Sequence, residues 1–290
     1  MRSKYSAAED LRKKARHALR DRWVIASIAF LLFALFAMGG TGGSVSVDLE
    51  TEEVMESVEE IEYTLPTYLD NGDVLGAIEY LVMDTVVGLV LVVGAFASLV
   101  LLIYSIFVAA PLKTGYYRYN LDLYARRKDA GLDTMLFGFR ERYWKSVGTF
   151  FLRGLIIAWK TFLGSLVTGL FLGLGAGLGP NLLGAFLSMI GYIAMFWMII
   201  RLIVLSFDYA MAGYLVAERA DLSPREILRE SKRIMHGNRL RLFGLHLSFI
   251  GWYIVGLFTL GIGLIPVGAY VYATETAFYR ELGKKSIGLF

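Results

Sequence analysis

Long apolar runs alternate along this chain with short segments rich in basic and aromatic residues. The apolar runs cover residues 23–40, 85–110, 149–217 and 242–282. A helix rises about 1.5 Å per residue and a hydrocarbon core is about 30 Å thick, so about 20 apolar residues cross it. The first two runs therefore each predict one membrane-spanning helix. The last two runs are longer, and each predicts a hairpin of two such helices.

Each of the two long runs is interrupted by a motif with the pattern LGxGLxP. The motifs are LGAGLGP at 174–180 and LGIGLIP at 260–266. Glycine and proline together mark turns, and without a preceding strand or a following Lys-Ser/Thr pair they do not match a phosphate-binding loop. The recurrence favours duplicated hairpins, although chance matches of abundant Gly and Leu are the alternative. The predicted turn residues are Gly175, Gly177, Pro180, Gly261, Gly263 and Pro266, and the predicted helix-packing glycines are Gly164, Gly169, Gly173, Gly251 and Gly256.

Positive charge is segregated along the chain and predicts which segments face the cytoplasm. Residues 1–22 carry eight Lys or Arg, whereas twelve carboxylates and no basic residue lie within 48–84. Because short cytoplasmic segments collect Lys and Arg, both termini are expected inside a bacterial cytoplasmic membrane. The predicted cytoplasmic parts are a basic helix at 1–22, a basic segment at 111–148 and an amphipathic segment at 218–241, and the predicted outer part is the acidic loop 41–84.

The fold class that follows is all-α. Residues 1–290 are expected to form a single integral membrane domain, a polytopic bundle of about six transmembrane helices in three hairpins, with amphipathic cytoplasmic helices. Ser223, Pro224 and Glu226 form a capping box with proline at the first helical position, which predicts an amphipathic helix at 224–236. The acidic loop has two interpretations, attraction of cations or a cationic peptide and a simply solvated face.

Several function classes find no support in the sequence. The chain has no cysteine, and its three histidines lack metal-ligand spacing, so no metal site and no cofactor is expected. No catalytic constellation converges at one predicted depth, which argues against an enzyme. The basic aromatic segments lie beside predicted spans, where anionic lipid headgroups explain them better than nucleic acid does.

Ionisable residues inside the predicted spans are the candidate functional residues, because charge at that depth is costly. Counting from the turns places Glu275 near the bilayer middle, with the Trp252 indole level with it, and His246 near the inner boundary. Lys160 and Arg201 share one depth, which suggests an anionic ligand or phospholipid headgroup, although snorkelling explains them equally well. Arg153 and Asp208 are similarly matched and suggest an ion pair.

Two functions remain open from these residues. The first is a non-enzymatic membrane protein that binds or translocates an amphipathic molecule, either a lipid or a small peptide, through Lys160, Arg201 and Glu275. The second is a structural or regulatory subunit that recruits a partner through its cytoplasmic amphipathic helices. The expected partners are membrane lipids, with a protein partner or a second copy of the chain as further alternatives.

The end of the chain resembles a known bacterial family. ESKRIMHGNRLRLFGLHLSFIGWYIVGLFTLGIGLIPVGAYVYATETAFY, residues 230–279, is similar to the closing pattern of the family catalogued as domain of unknown function nine seven five, and the PLKTGYYRY opening of 111–140 also fits. The chain departs from the pattern at Ala269, where proline is expected before Tyr270. The resemblance implies a polytopic bacterial membrane protein and transfers no activity and no catalytic residues.

Overall fold

The computed structural model describes residues 8–38, 74–127, 131–179 and 181–286, and within these ranges its regular elements are all helical. Most of the predicted acidic loop, and the turn residue Pro180, lie outside the described residues. The principal helices are α1 Ala8–Leu19, α2 Trp23–Phe33, α3 Val74–Tyr104, α4 Ala110–Tyr124, α5 Phe137–Arg140, α6 Tyr143–Gly177, α7 Leu182–Asp208, α8 Ala212–Glu218, α9 Pro224–Met235, α10 Arg239–Leu247, α11 Ile250–Phe258 and α12 Leu264–Ser286.

Four helical stretches among the described residues are long and apolar enough to cross a membrane. They are Thr85–Tyr124, Tyr143–Gly177, Leu182–Glu218 and Arg239–Phe258. A shorter apolar helix covers Trp23–Ala37. Over its described residues the protein is therefore all-helical, and it has the helices of a membrane protein, as its hydropathy predicts.

The last helix, α12, differs from these four because its apolar residues are buried by the rest of the chain. Ala269, Ala273 and Phe278 are each at most 3% exposed. Its second half also carries Glu275 and Arg280, which lower its hydropathy. A helix of this kind is held by packing against neighbouring helices, and its sequence need not satisfy a lipid surface on every side.

Contacts divide the chain into two compact units, Met1–Leu35 with Ala110–Phe290, and Phe36–Ala109. In the smaller unit, the Tyr104 hydroxyl donates a hydrogen bond of 2.6 Å to the Phe36 carbonyl. Many apolar side chains of α3 are more than half exposed, which is the surface expected of a helix that contacts lipid tails.

The core of the larger unit is aromatic and joins α2, α4 and α12. Phe33 stacks on Tyr116 at 4.2 Å between ring centroids. Tyr272 meets the Tyr116 ring edge-on at 5.1 Å. Offset-stacked and edge-to-face rings contribute beyond their buried area, so these contacts fix how the three helices cross.

Helices α6 and α7 form an antiparallel pair along much of their length. A Cβ on Gly164 would lie 2.6 Å from Met198 Sδ, and a Cβ on Gly191 would lie 2.7 Å from Leu172 Cδ2. These glycines allow close approach, as small residues do between membrane helices. Gly164 and Gly256 confirm the packing prediction, whereas a Cβ on Gly169, Gly173 or Gly251 would have nothing within 4 Å, so these three do not serve this role.

The two LGxGLxP motifs end their helices differently, which corrects the turn assignment. In the first motif, Gly175 and Gly177 still belong to α6, and Gly179, with φ of +72°, makes the turn. Asn181 then caps α7 by accepting a 2.7 Å hydrogen bond from the Gly184 N–H. Gly175 instead serves packing, because its Cβ would lie 2.9 Å from the Gly184 carbonyl oxygen.

In the second motif the turn comes earlier. Leu260 and Gly261 have φ of +54° and +86°, and the Gly263 N–H donates to Thr259 Oγ1 at 2.8 Å. Pro266 is the third residue of α12, where a missing N–H costs no intrahelical hydrogen bond. Gly261 and Gly263 therefore lie in the turn as predicted, whereas Pro266 lies in the first turn of α12.

The predicted capping box is confirmed at the start of α9. The Glu226 N–H donates to Ser223 Oγ, and the Ser223 N–H donates to the Glu226 carboxylate at 2.7 Å. That backbone hydrogen bond is the main reason that the pKa of Glu226 lies below its ordinary value. The apolar face of α9, with Ile227 and Met235, is buried in the chain. The helix is therefore stabilised both by its capping box and by the packing of its apolar face.

Candidate functional site

A groove of about 640 Å³ lies between α6 and α7, beside α9 and α10. Its volume is in the range of small-molecule sites. Lys160 and Arg201, which the sequence predicts at a shared depth, both line it. The structure thus brings together two of the four ligand candidates.

Charged and apolar side chains occupy different ends of this groove. Because Gly164 faces Met198 in the antiparallel pair, Lys160 lies level with Arg201, and the residues nearer the Gly179 turn lie further along. Those further residues are apolar: Leu163, Val167, Ile190, Ile193 and Trp197. The charged end is formed by Lys160, Arg201, Asp208, Lys232 and Arg239. The groove is therefore amphipathic along its axis.

Arg201 is held in place by a neighbouring aromatic ring. Its guanidinium carbon lies 5.2 Å from the centroid of Trp197, one helical turn earlier on α7. A cation over an indole face is attracted by the ring quadrupole, and more strongly where water is excluded. The interaction orients the guanidinium at the junction of the apolar and charged ends.

Asp208 pairs with Arg239, and not with Arg153 as predicted. The Arg239 Nε lies 2.5 Å from Asp208 Oδ1, and the Asp208 side chain is only 6% exposed. Among the described residues no ion pair joins Arg153 to Asp208, and Arg153 instead lies within electrostatic reach of Lys113. The prediction is wrong because counting along the hairpin compares positions on α6 and α7 only. Arg239 belongs to α10, and it lies within ion-pair distance of Asp208.

The same aspartate fixes α9 against α7 through its backbone. Ser231 Oγ donates a 2.8 Å hydrogen bond to the Asp208 carbonyl, and both residues are buried. This contact places Lys232, the next residue of α9, at the mouth of the groove. Three helices are thereby connected at the charged end.

Glu275 and His246 form a second arrangement that does not line this groove. His246 Nε2 lies 3.0 Å from Glu275 Oε1, with the carboxylate side chain 15% exposed. The sequence predicts the Trp252 indole at the level of Glu275, but the contact that the structure shows is with the imidazole of His246. Tyr117, Tyr214 and Tyr253 are close enough to Glu275 to interact with it electrostatically. The four ligand candidates therefore separate into two pairs.

Lys232 and Arg239 are the groove residues that sequence reasoning missed. Both belong to the basic segment 218–241, which the charge pattern explains by topology and by anionic lipid headgroups, without assigning a ligand to either residue. Counting from the turn gives depth only within the hairpin, so a cation from a later helix has no place in that scheme. The run SKRIMHGNRLR at 231–241, in the basic segment that follows the hairpin, is the signal that points to them.

The part of the chain that the structure describes holds no group of three or more His, Cys, Asp or Glu placed to bind a metal ion. The side chains that line the groove are charged and apolar, and they can recognise a ligand through ionic and apolar contacts.

Comparison with known proteins gives a family. The model of a family described as "Protein of unknown function (DUF975)" matches residues 1–286. The chain belongs to the DUF975 family. The resemblance read from residues 230–279 is thereby confirmed, and the match covers α1 to α12 of this DUF975 protein. No curated protein and no solved structure matches it.

Proposed function

We propose that this protein is a non-enzymatic, multi-pass protein of the bacterial cytoplasmic membrane that binds an anionic amphipathic molecule in the groove between α6 and α7. The observation that carries the proposal is the division of that groove. Lys160 and Arg201 stand at one end, and apolar side chains including Val167 and Ile193 line the other. A headgroup and an apolar chain of one ligand would each meet a matching surface.

The proposed topology has six spans in three hairpins, with both termini in the cytoplasm. It adds the short apolar helix Trp23–Ala37 and the buried helix α12 to the four long apolar stretches. The basic segments then face inward, and the charged end of the groove faces the inner leaflet, where anionic lipids attract basic side chains. Reporter fusions at residue 60 or 262 are expected to signal the outer side. A cytoplasmic signal at residue 60 would overturn this topology.

Ligand binding is tested by intact-complex mass spectrometry of the detergent-purified protein with added anionic lipid. The double variant Lys160→Ala/Arg201→Ala is expected to lose retained lipid, because both headgroup contacts disappear. The matched control is Arg225→Ala/Arg229→Ala, which removes two exposed cations of α9 that do not line the groove. Equal lipid retention by both double variants would contradict the proposal.

Translocation is the stronger form of the proposal and has its own assay. Vesicles that contain the protein and a labelled lipid in one leaflet are expected to exchange that label faster than protein-free vesicles. If the label exchanges between leaflets no faster than in protein-free vesicles while the protein still binds the lipid, the function is binding without translocation.

Recruitment of a partner through the cytoplasmic amphipathic helices is the alternative function. The apolar faces of α1 and α9 pack within the chain, for example through Leu11, Leu19, Ile227 and Met235. Those faces are therefore occupied, and the contacts support ligand binding better than recruitment.

A further inference from the structure

The charges at the groove are not balanced by the chain itself. Four cations and one carboxylate line it, and the carboxylate of Asp208 is taken by Arg239. Among the described residues, no carboxylate lies within ion-pair distance of Lys160, Arg201 or Lys232. Three positive charges therefore remain at one end of a groove whose other end is apolar.

These cations come from different elements and converge from different sides. Lys160 belongs to α6, Arg201 to α7 and Lys232 to α9. Snorkelling lysines spread outward toward water, whereas these three cations stand on three helices that pack together and line one groove. Clustered like charges beside apolar surface are unfavourable, and a compact anion relieves the repulsion and gains charge-assisted hydrogen bonds.

Two fixed contacts hold the cluster in shape before any ligand arrives. The Trp197 ring orients Arg201. The hydrogen bond from Ser231 to the Asp208 carbonyl fixes α9 against α7, and thereby fixes the backbone that carries Lys232. Preorganised donors lose little entropy on binding. The arrangement therefore favours a head with several oxygens in a small volume.

We propose that the groove selects an amphiphile whose head is a phosphomonoester or a diphosphate, with about two negative charges at neutral pH, over one with a singly charged phosphodiester head. This inference rests on the proposed function and names the ligand class of the same groove. A doubly charged head would leave only one of the three unbalanced cations without a negative charge, whereas a phosphodiester head would leave two.

The binding assay uses Trp197, which lies in the groove and is 61% exposed. The full chain is placed in phosphatidylcholine nanodiscs, and its tryptophan fluorescence is quenched by phosphatidic acid or phosphatidylglycerol with identical brominated chains. The same titration of Trp197→Phe accounts for the other four tryptophans. Phosphatidic acid is expected to bind about tenfold more tightly, as one additional partly desolvated charge pair would give.

A pH series provides an independent arm, because the second proton of a phosphomonoester binds with a pKa of about 6. The preference for phosphatidic acid is expected at pH 8 and lost at pH 5. The charged groups that face the head are Lys160 from α6, Arg201 and Asp208 from α7, Lys232 from α9 and Arg239 from α10. Histidine, whose ordinary pKa falls in that window, is absent from the groove lining within the described ranges.

Variants identify the cations that read the head. Lys232→Ala, on an exposed helix position, is expected to bring the ratio of the two dissociation constants toward one, and Lys160→Arg is expected to keep it. Arg229→Ala, three residues before Lys232 and outside the groove, is the matched control and is expected to keep the full ratio.

The outcomes separate the inference from the proposed function. Equal affinity for both anionic lipids would overturn the inference and leave the proposed function standing. Quenching by phosphatidylcholine with the same strength as by either anionic lipid would overturn both. Displacement of phosphatidic acid by equimolar inorganic phosphate would show that the head alone is the ligand, and it would overturn the assignment to an amphiphile.

Discussion

Glu275 shows how a single carboxylate is accommodated inside a helical bundle. Its oxygen meets the His246 imidazole at 3.0 Å, and tyrosines surround the pair. A buried polar group is expensive mainly when its partner is missing. Removal of either residue should therefore lower the free energy of unfolding by more than the attraction between the two, because the remaining polar group is left without its partner.

Glu275→Ala is expected to lower the free energy of unfolding by about 1–3 kcal/mol, because His246 loses its acceptor in a half-buried position. Glu275→Gln keeps an oxygen acceptor at the same place and should lose clearly less. Thermal unfolding midpoints in one detergent, followed by tryptophan fluorescence, measure the difference. A midpoint of Glu275→Ala equal to that of the unsubstituted protein would contradict the assigned role of the pair.

Counting residues from a turn matches Lys160 with Arg201 correctly, but it places His246 deeper than Glu275, although the two side chains are in contact at 3.0 Å. Lys160 and Arg201 are matched by their distance from Pro180, and the groove contains both. The same count matches Arg153 to Asp208, whose carboxylate instead binds Arg239. Helical rise gives the level of a residue only along a continuous helix, and the segment before the second turn is divided into α10 and α11. The angular position of a side chain depends in addition on which other helices pack there.

The two LGxGLxP motifs show that one sequence pattern can end two helices differently. The first motif stays helical through Gly177, because Gly175 packs against α7 where no side chain fits. The second turns at Leu260 and Gly261. The glycines of the pattern permit either outcome, and packing against the following helix decides between them.

Gly175→Ala tests this packing role at the scale of the helix pair. The added methyl would meet the Gly184 carbonyl oxygen at 2.9 Å and also collide with Ser188 Oγ. Overpacking of this kind should cost about 1–3 kcal/mol of unfolding free energy. Gly173→Ala, half a turn earlier with nothing within 4 Å, is the matched control and should be neutral or slightly stabilising. Equal losses at the two positions would refute the packing role.

The cap of α9 offers a second test at this scale. Ser223→Ala removes the acceptor for the Glu226 N–H and should lower the free energy of unfolding by about 1 kcal/mol. Ser223→Asp should keep the stability of the unsubstituted protein, because aspartate also accepts this hydrogen bond. The pKa of Glu226 is lowered in the folded chain. Its contribution is therefore present above its unfolded-state pKa and disappears as acid protonates the folded carboxylate. Unfolding midpoints of both variants at neutral and acid pH measure these effects.

For the whole molecule, hydropathy and charge predict the helical membrane class. They do not separate lipid-facing helices from internal ones. The apolar residues of α3 are widely exposed, whereas those of α12 are buried among α1, α2 and α4. A run of apolar residues satisfies lipid and protein neighbours alike, so the six-span topology stays a prediction until reporter fusions test it.

Tyr116 is the residue through which the larger unit holds its three central helices together. Tyr116→Ala should lower the unfolding free energy by about 3–5 kcal/mol, because it removes a fully buried ring that contacts Phe33 and Tyr272. Tyr192→Ala, at a position 60% exposed on α7, should change little. Comparable losses in the two variants, measured by thermal unfolding in detergent, would contradict a core built on Tyr116.

The stacking of Phe33, Tyr116 and Tyr272 also has a consequence for biogenesis. Tyr272 leaves the ribosome long after α2 and α4 have been made, so the central aromatic core closes only when α12 arrives. Until then α2 and α4 lack the partner that they share. Assembly of the core is therefore completed only after α12 has been made, and a chain truncated before α12 would keep the Phe33–Tyr116 contact but lack the contacts of Tyr272.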